Sequence, residues 1–490
     1  MSGDIDYDLI VIGSGGAGLA GAVWAAEAGC KVIILEAEDR LGGSTALSDG
    51  VFNAADTSLQ RKLGFTDSID HYYDYYMTLN AWRQPAGLIR TFCEEATPTV
   101  EWLMQLGVKY PERVAKKPPQ PIFSSSVEGG GLYAAGVEWP PRGHCPAEGG
   151  KIYIDVMDNR RAVLGVELAM NTRVQELIVE GGAVKGVRVE GQELRSHAVL
   201  LACGGLANAP LEMIKTWFPD AYETLPPGHH PSGPATAMNR GDGVLLGRQA
   251  GADIIGKNCG LATSGPFFPN IPGYHGRQPP ATIYVNSLGT RFAPETAPYA
   301  VMPGLLKHQG YGCWGVFDEG ARLRADPTSG GLTRGWDPKF VLKAVETGDI
   351  IVGDTIEILA KRCGMRPGAL KTSVEEYNTA LETGVDRWFL RPLDGLHPMS
   401  EGPFYAFRFV NTHFTLTNVG PRIDPQAHAL DEDGRAIPGL FAAGECGAGV
   451  IGERYVGGGN SVGNAITMGR VAGMTIGREL KGVEPRPVVV

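Results

Sequence analysis

The sequence predicts an α/β protein in which one discontinuous domain is interrupted by a second domain. Three observations carry this expectation. A buried strand, a glycine turn and a helix open the chain in βαβ order. Two further apolar strands, "SHAVLLACGG" and "PGLFAAGECGAGV", run into glycine turns of the same kind. Between them, residues 260–411 shift to aromatics and prolines with few long apolar runs.

Residues 7–12, "YDLIVI", read as a parallel strand buried on both faces, because the run is continuously apolar and bounded by glycine. An Ala/Gly-rich helix follows and ends at Gly29, and "KVIILEAE" at 31–38 is a second buried strand. Residues 55–110 turn helical, and 111–150 are rich in Pro, Gly and Ser. Short β runs fill 166–202, with "EGGAV" as a hairpin turn. "NSVGNAITMGRVAGMTIGREL" at 460–480 reads as a final helix. The expected division is 1–259 plus 412–490 for the first domain and 260–411 for the insert.

Of 490 residues, 43% are hydrophobic and 20% charged, which excludes a disordered chain. Lys plus Arg number 44 against 54 Asp plus Glu, a net charge of −10. That balance leaves no footprint for nucleic acid, and no apolar run is long enough for a membrane span. Glycine numbers 69, about twice its usual share of roughly 7%. Eight widely spaced cysteines without a CxxC pair suit reduced thiols rather than a disulfide framework or zinc site. An acidic N-terminus running straight into the first strand is unlike a secretory signal, so a cytoplasmic location is expected.

Gly13, Gly15 and Gly18 form GxGxxG between strand and helix, around Gly16 and Ala17. The first glycine permits a tight turn, the second admits a pyrophosphate, and the third lets helix and strand pack closely. The helix N-terminus offers N–H groups and a positive dipole to phosphate. Glu36 closes the second strand, where its carboxylate accepts from ribose hydroxyls. "RLGGSTALSDG" follows at once and contains Gly42, Gly43 and Ser44. With the turns at Gly204 and Gly444, such a series suits FAD, held along its whole length, better than NAD.

"DLIVIGSGGAGLAGAVWAAEAG", "EAEDRLGGSTALSDG", "MNRGDGVLLGRQAGA", "GTRFAPE" and "IPGLFAAGE" together resemble the fumarate reductase/succinate dehydrogenase flavoprotein superfamily over nearly the full length. The resemblance implies a Rossmann-like FAD-binding domain with an inserted α+β catalytic (capping) domain. It places Glu445 against the ribityl chain and the helix start at Ser461 and Val462 against the flavin's pyrimidine edge. Val174 completes the expected cofactor set. Covalent members carry a histidine after the second strand; here Gly43, Ser44 and Thr45 fill that stretch and no histidine precedes His71, so non-covalent FAD is expected.

The dicarboxylate-reducing branch has an arginine proton donor shortly after an RF..E segment and a second substrate arginine near the C-terminus. Here "RFAPETAPYAV" puts Tyr299 in the donor's neighbourhood, and Val456 stands at the ungapped position of the second, with Arg454 two residues before it. The same stretches resemble 3-ketosteroid dehydrogenases, the 1,2-dehydrogenating branch above all. There one tyrosine follows RF..E and another opens Y-x-G-x-G, as Tyr455, Val456, Gly457, Gly458 and Gly459 do here. The 4,5-dehydrogenating branch has a serine where Gly457 stands, yet "PPRGH" at 140–144 is similar to that branch.

Removing hydrogens α and β to a ketone needs a base, a hydride acceptor and donors to the carbonyl oxygen as enolate charge develops. The expected roles are proton abstraction by Tyr299, carbonyl polarisation by the Tyr455 O–H and Gly459 N–H, and hydride transfer to flavin. A phenol of ordinary pKa about 10 needs help to act as a base near neutrality. Tyr110 and His413 are further substrate candidates, with Arg142, His144, His229, His230, Phe267, Phe268 and Tyr274 weaker ones. The expected partners are a ketone, a 3-ketosteroid first, and an electron acceptor of unspecified identity. The alternatives are a smaller cyclic ketone such as a cyclohexanone, an alkene reductase of fumarate-reductase type, and an electron-transfer subunit docking to an iron–sulfur partner.

Overall fold

The computed structural model describes residues 5–115, 122–123, 140–223, 239–271, 278–297, 300–310, 312–327 and 335–483. Tyr299, His229, His230 and Tyr274 lie outside these residues. The chain divides into two compact units, one of residues 1–219, 232–261 and 414–490, the other of residues 220–231 and 262–413.

The first unit is built on an eight-stranded sheet. Its parallel part contains β1 (Tyr7–Ile12), β2 (Val32–Leu35), β4 (Glu167–Ala169), β5 (Gln192–Leu201) and β6 (Ala436–Ala442), in the order β6-β5-β1-β2-β4. A short strand β3 (Phe52–Asn53) belongs to a separate small sheet. The apolar runs of β1 and β2 are buried almost throughout, as two-sided cover requires. An antiparallel hairpin, Glu176–Glu180 with Ala183–Val189, extends from β5 and turns at the expected Gly181–Gly182. Helix α1 (Gly16–Glu27) links β1 to β2. Helix α2 (Ile69–Leu79) starts on a Ser68 side chain that accepts the His71 N–H. The last helix, α3 (Asn460–Lys481), packs on α1, and there Arg470 lies 4.4 Å over the Trp24 ring and pairs with Glu95 at 2.6 Å.

Register carries the functional consequence. Ile12 pairs with both Leu201 and Leu35, and Leu201 pairs with Ala442. Four parallel strands therefore end level with one another. The four segments that follow, 13–16, 36–38, 202–204 and 443–445, emerge at one edge of the sheet, where open α/β sheets bind ligands.

The second unit corrects the impression left by its composition. It carries most of a five-stranded sheet whose longest strand, Phe404–Thr417, belongs to this unit up to residue 413 and is flanked by Trp314–Asp318 and Ile350–Gly353 in antiparallel pairings. Aromatics conceal the strand from an apolar-run reading, yet Phe404, Tyr405, Phe407 and Phe409 are all buried. Phe268 belongs to this core as well. The RFAPE segment is locked by charge. Arg291 binds Glu295 through Nε and Nη2, both at 2.7 Å, and Asp386 at 2.7 Å, while Arg391 reaches Glu295 at 2.9 Å. All four side chains are 4% exposed or less.

Two cations facing two anions are mutually compensated, so losing one is costly in a dry interior. Glu295→Ala leaves Asp386 to Arg291 and leaves the Arg391 guanidinium on the backbone carbonyls of Thr282 and Pro280 without a carboxylate, and is expected to cost about 3–5 kcal/mol. A denaturation midpoint equal to that of the parent protein would refute this.

Candidate functional site: a dinucleotide cleft and a tyrosine-bearing turn

The turn after β1 is set by one close contact. A Cβ built on Gly18 would lie 1.9 Å from the Gly13 carbonyl oxygen, so only glycine lets α1 approach the strand this closely. The first turn of α1 has no intrahelical acceptors for its N–H groups, and its N-cap residue, Gly15, carries no side chain over them. A Cβ on Gly15 would meet nothing nearer than the Gly42 carbonyl at 3.9 Å, which leaves room for a bulky anion at the helix end. The Gly16 N–H donates to Thr45 Oγ1 at 3.3 Å.

A cleft partly open to solvent runs along this edge of the first unit. Gly13, Gly15, Gly16, Ala17, Glu36, Gly43, Ser44, Val174, Gly204, Gly444 and Glu445 line it, most of them drawn from the segments that follow those four strands. Gly18 and Gly42 lie behind the lining: Gly18 packs on Gly13, and the Gly42 N–H donates to Ser14 Oγ at 3.3 Å. Glu36 accepts the Ser14 N–H at 2.8 Å, the Ser14 hydroxyl, and the Glu38 N–H at 2.9 Å. Its carboxylate is thereby fixed at the cleft wall.

Sequence reasoning missed Asn239, Arg173, Asp242 and Cys203, which also line the cleft. Asn239 donates to Ser44 Oγ and to Glu445 Oε2, both at 3.4 Å, and Arg173 grips Asp242 through two bonds. Asn239 and Asp242 belong to "MNRGDG", a stretch whose charged and amide residues among glycines were the available signal. Glu445 is held by the Thr417 N–H at 3.1 Å and Thr417 Oγ1 at 3.4 Å. Burial nevertheless pushes its carboxyl up to about 7, because desolvation outweighs those bonds.

These features fit a dinucleotide: N–H groups at a helix end for a pyrophosphate, a fixed acceptor for a ribose diol, and a polar cluster at Glu445 farther along. FAD would be held here by Gly15, Ala17, Glu36, Ser44 and Glu445.

Just before α3, the segment 455–461 forms a second group. The Tyr455 hydroxyl accepts the Ser461 N–H at 3.2 Å, so the N–H expected to face a flavin edge is directed at a phenol. The N–H groups of Asn460 and Gly459 also favour its charged form, yet burial dominates and drives the phenol well above its ordinary range. Tyr455 is therefore an O–H donor at working pH. Gly459 caps α3 with φ +99°. Val462 is partly buried on the same helix turn, packed against the main core.

The weaker candidates are placed plainly. Tyr110 is buried and donates to the Tyr153 hydroxyl at 3.2 Å, while Tyr153 donates to the Gly50 carbonyl at 2.7 Å. His413 lies in the second unit with Nδ1 3.0 Å from Thr412 Oγ1. Arg142 pairs with Asp67 through two 2.7 Å bonds in the interior, and burial lowers His144 to about 4 beside Thr57. Neither lines the cleft.

A carboxyl whose folded pKa is raised binds its proton more tightly in the native state than when unfolded. Its favourable contribution is complete below the unfolded value of 4.5 and is lost as pH rises through about 7. The melting temperature of apoprotein Glu445→Gln should therefore gain on the parent between pH 5 and pH 8. A constant difference across that range would contradict the shift.

Residues 8–462 match the family described as the FAD binding domain. The chain is 28% identical to an NADH:fumarate oxidoreductase of Klebsiella pneumoniae over 97% of its own length, but it spans only 48%, about half, of that relative. It is 27% identical to a 3-oxosteroid 1-dehydrogenase of Mycolicibacterium smegmatis, covering 96% of this chain and 97% of that one. Among solved structures, a 3-ketosteroid-delta4-(5alpha)-dehydrogenase from Rhodococcus jostii superposes with a TM-score of 0.74 at 26% identity, covering 97% and 98% of the two chains. No helix among the described residues is long and apolar enough to cross a membrane. With an α/β fold, a glycine-lined dinucleotide cleft and a family match over most of its length, the chain belongs to the FAD binding domain family of the fumarate reductase/succinate dehydrogenase flavoprotein superfamily.

Proposed function

We propose that this protein is an FAD-dependent oxidoreductase that introduces a carbon–carbon double bond α,β to a ring ketone, with 3-ketosteroids as the first substrate class and smaller cyclic ketones as the next. One observation carries the reading: a buried, protonated phenol, Tyr455, sits at the N-terminus of α3 beside Gly459, in the Y-x-G-x-G spacing. Two donors close together at a helix N-terminus suit an oxygen that gains negative charge, as a ketone oxygen does on enolisation. Val456, where the dicarboxylate pattern has an arginine, is apolar and 1% exposed.

In this reading Tyr455 and the Gly459 N–H bind and polarise the carbonyl. Tyr299 abstracts the α proton, a role that rests on its place after the RFAPE segment. Bound FAD supplies the acceptor for a hydride. Glu36, Ser44 and Glu445 hold the cofactor, and no covalent bond to the chain is made. Relatives acting on steroid ketones match this chain over nearly the whole of both sequences, which supports the substrate class.

Reduction of an activated alkene is the second reading, favoured by the 28% identity to an NADH:fumarate oxidoreductase. It uses the same donors in the opposite direction.

Anaerobic mixing of the holoenzyme with 4-androstene-3,17-dione, 5α-reduced ketosteroids or cyclohexanone tests the choice. Bleaching of the yellow colour by a saturated ketone, with a new enone absorbance, is the expected result. Tyr455→Phe should lower that rate by on the order of 100-fold while leaving the bound flavin spectrum in place. Bleaching by none of these ketones, or reoxidation of chemically reduced enzyme by fumarate alone, would overturn the ketone reading. Acid precipitation should leave all FAD in the supernatant; a yellow pellet would disprove non-covalent binding.

A further inference from the structure

The segment 456–459 has every backbone carbonyl taken. Val456 O accepts the Tyr75 hydroxyl at 3.4 Å, and Gly457 O accepts Asn460 Nδ2 at 2.9 Å. Gly458 O accepts Asn53 Nδ2 at 2.8 Å, and Gly459 O accepts the Asn53 N–H at 3.3 Å. Three glycines in a row have the freest backbone a chain can offer, so these bonds decide which way each peptide faces.

In a planar trans peptide the carbonyl of one residue and the N–H of the next point in opposite directions. Holding the Gly458 carbonyl against Asn53 therefore turns the Gly459 N–H away from Asn53. We infer that Asn53, a buried residue remote in sequence, is the positioning residue that turns the Gly459 N–H toward the Tyr455 hydroxyl and so sets the donor that meets the substrate oxygen; this rests on the ketone-binding reading of that turn.

The fit is reciprocal. A Cβ at position 459 would lie 2.8 Å from Asn53 Oδ1, 2.9 Å from Cγ and 3.0 Å from the backbone nitrogen, and Gly459 has a left-handed φ of +99°. Only glycine tolerates both conditions. Behind Asn460, the Tyr72 hydroxyl donates to its Oδ1 at 2.8 Å, which orients the amide that holds Gly457. Helix α2 also supplies Tyr76, whose hydroxyl donates to Val450 O at 2.9 Å. The segment is thus held by α2 on one side and by β3 on the other, and Tyr72 acts one step behind Asn460.

The test uses an oxyanion probe rather than turnover. 4-Nitrophenol is titrated into the FAD-loaded protein across pH, and the affinities of its phenolate and phenol forms are read separately. The parent protein is expected to favour the phenolate by on the order of 10-fold or more. Asn53→Asp places a carboxylate oxygen against the Gly458 carbonyl and should erase that preference, with FAD content and affinity for neutral phenol unchanged. Tyr72→Phe, which acts through Asn460, removes a single hydroxyl and should reduce it by a few-fold; Asn53→Ala carries the test if Asn53→Asp fails to retain FAD.

A preference kept in both variants while Tyr455→Phe loses it overturns the role of Asn53 and leaves the ketone reading standing. No preference in the parent protein removes the oxygen-binding site itself, and both conclusions fall together.

Discussion

The approach of α1 to β1 governs the rest of the molecule. At the Gly13–Gly18 contact a single added carbon would sit 1.9 Å from a carbonyl oxygen. That proximity sets the helix end over the edge of the sheet. Because β6, β5, β1 and β2 end in register, their glycine turns meet around the same helix end. The cleft follows from strand lengths and one missing side chain, before any polar residue is considered. Ser14, Glu36, Asn239 and Glu445 then furnish a wall whose position the backbone has already fixed.

The turn before α3 works on a different principle. Its glycines supply freedom rather than proximity, and hydrogen bonds from outside remove that freedom. Tyr455 is kept protonated by burial, so its chemistry is that of a donor. A donor at a helix N-terminus is well matched to an oxygen that becomes negative. In the proposed reading the cleft and the turn divide the work of a flavoenzyme, with one region holding phosphates and ribose and the other meeting a reacting oxygen.

Much of this was legible in the sequence, for a physical reason. The βαβ opening, the hairpin at Gly181–Gly182 and α3 are local features, each written in a continuous run of apolar periodicity and glycine punctuation. The sites of Gly13, Glu36 and Glu445 could be read because each closes a strand. What could not be read depends on contacts between distant segments. Asn53 and Gly458 lie about 400 residues apart, and nothing in "VFNAAD" announces an amide that holds another segment's carbonyl. Arg391 and Asp386 complete the Glu295 cluster from about 95 residues away, so the ion-pair lock on RFAPE could not be read from that segment alone. The long strand Phe404–Thr417 escaped because aromatic residues, not aliphatic ones, make up its buried face.

The division of the first unit into segments on both sides of the insert has a consequence for biosynthesis. Strand β6 pairs with β5, which precedes it by more than 230 residues, and both the Gly444 turn and α3 come after the entire insert. A ribosome therefore delivers the opening βαβ unit first and leaves the cleft without one of its walls until the segment after the insert has been made. The insert can become compact before that, whereas stable capture of the flavin must wait for the Gly444 turn, so a nascent chain stalled within the insert has no complete cleft for it.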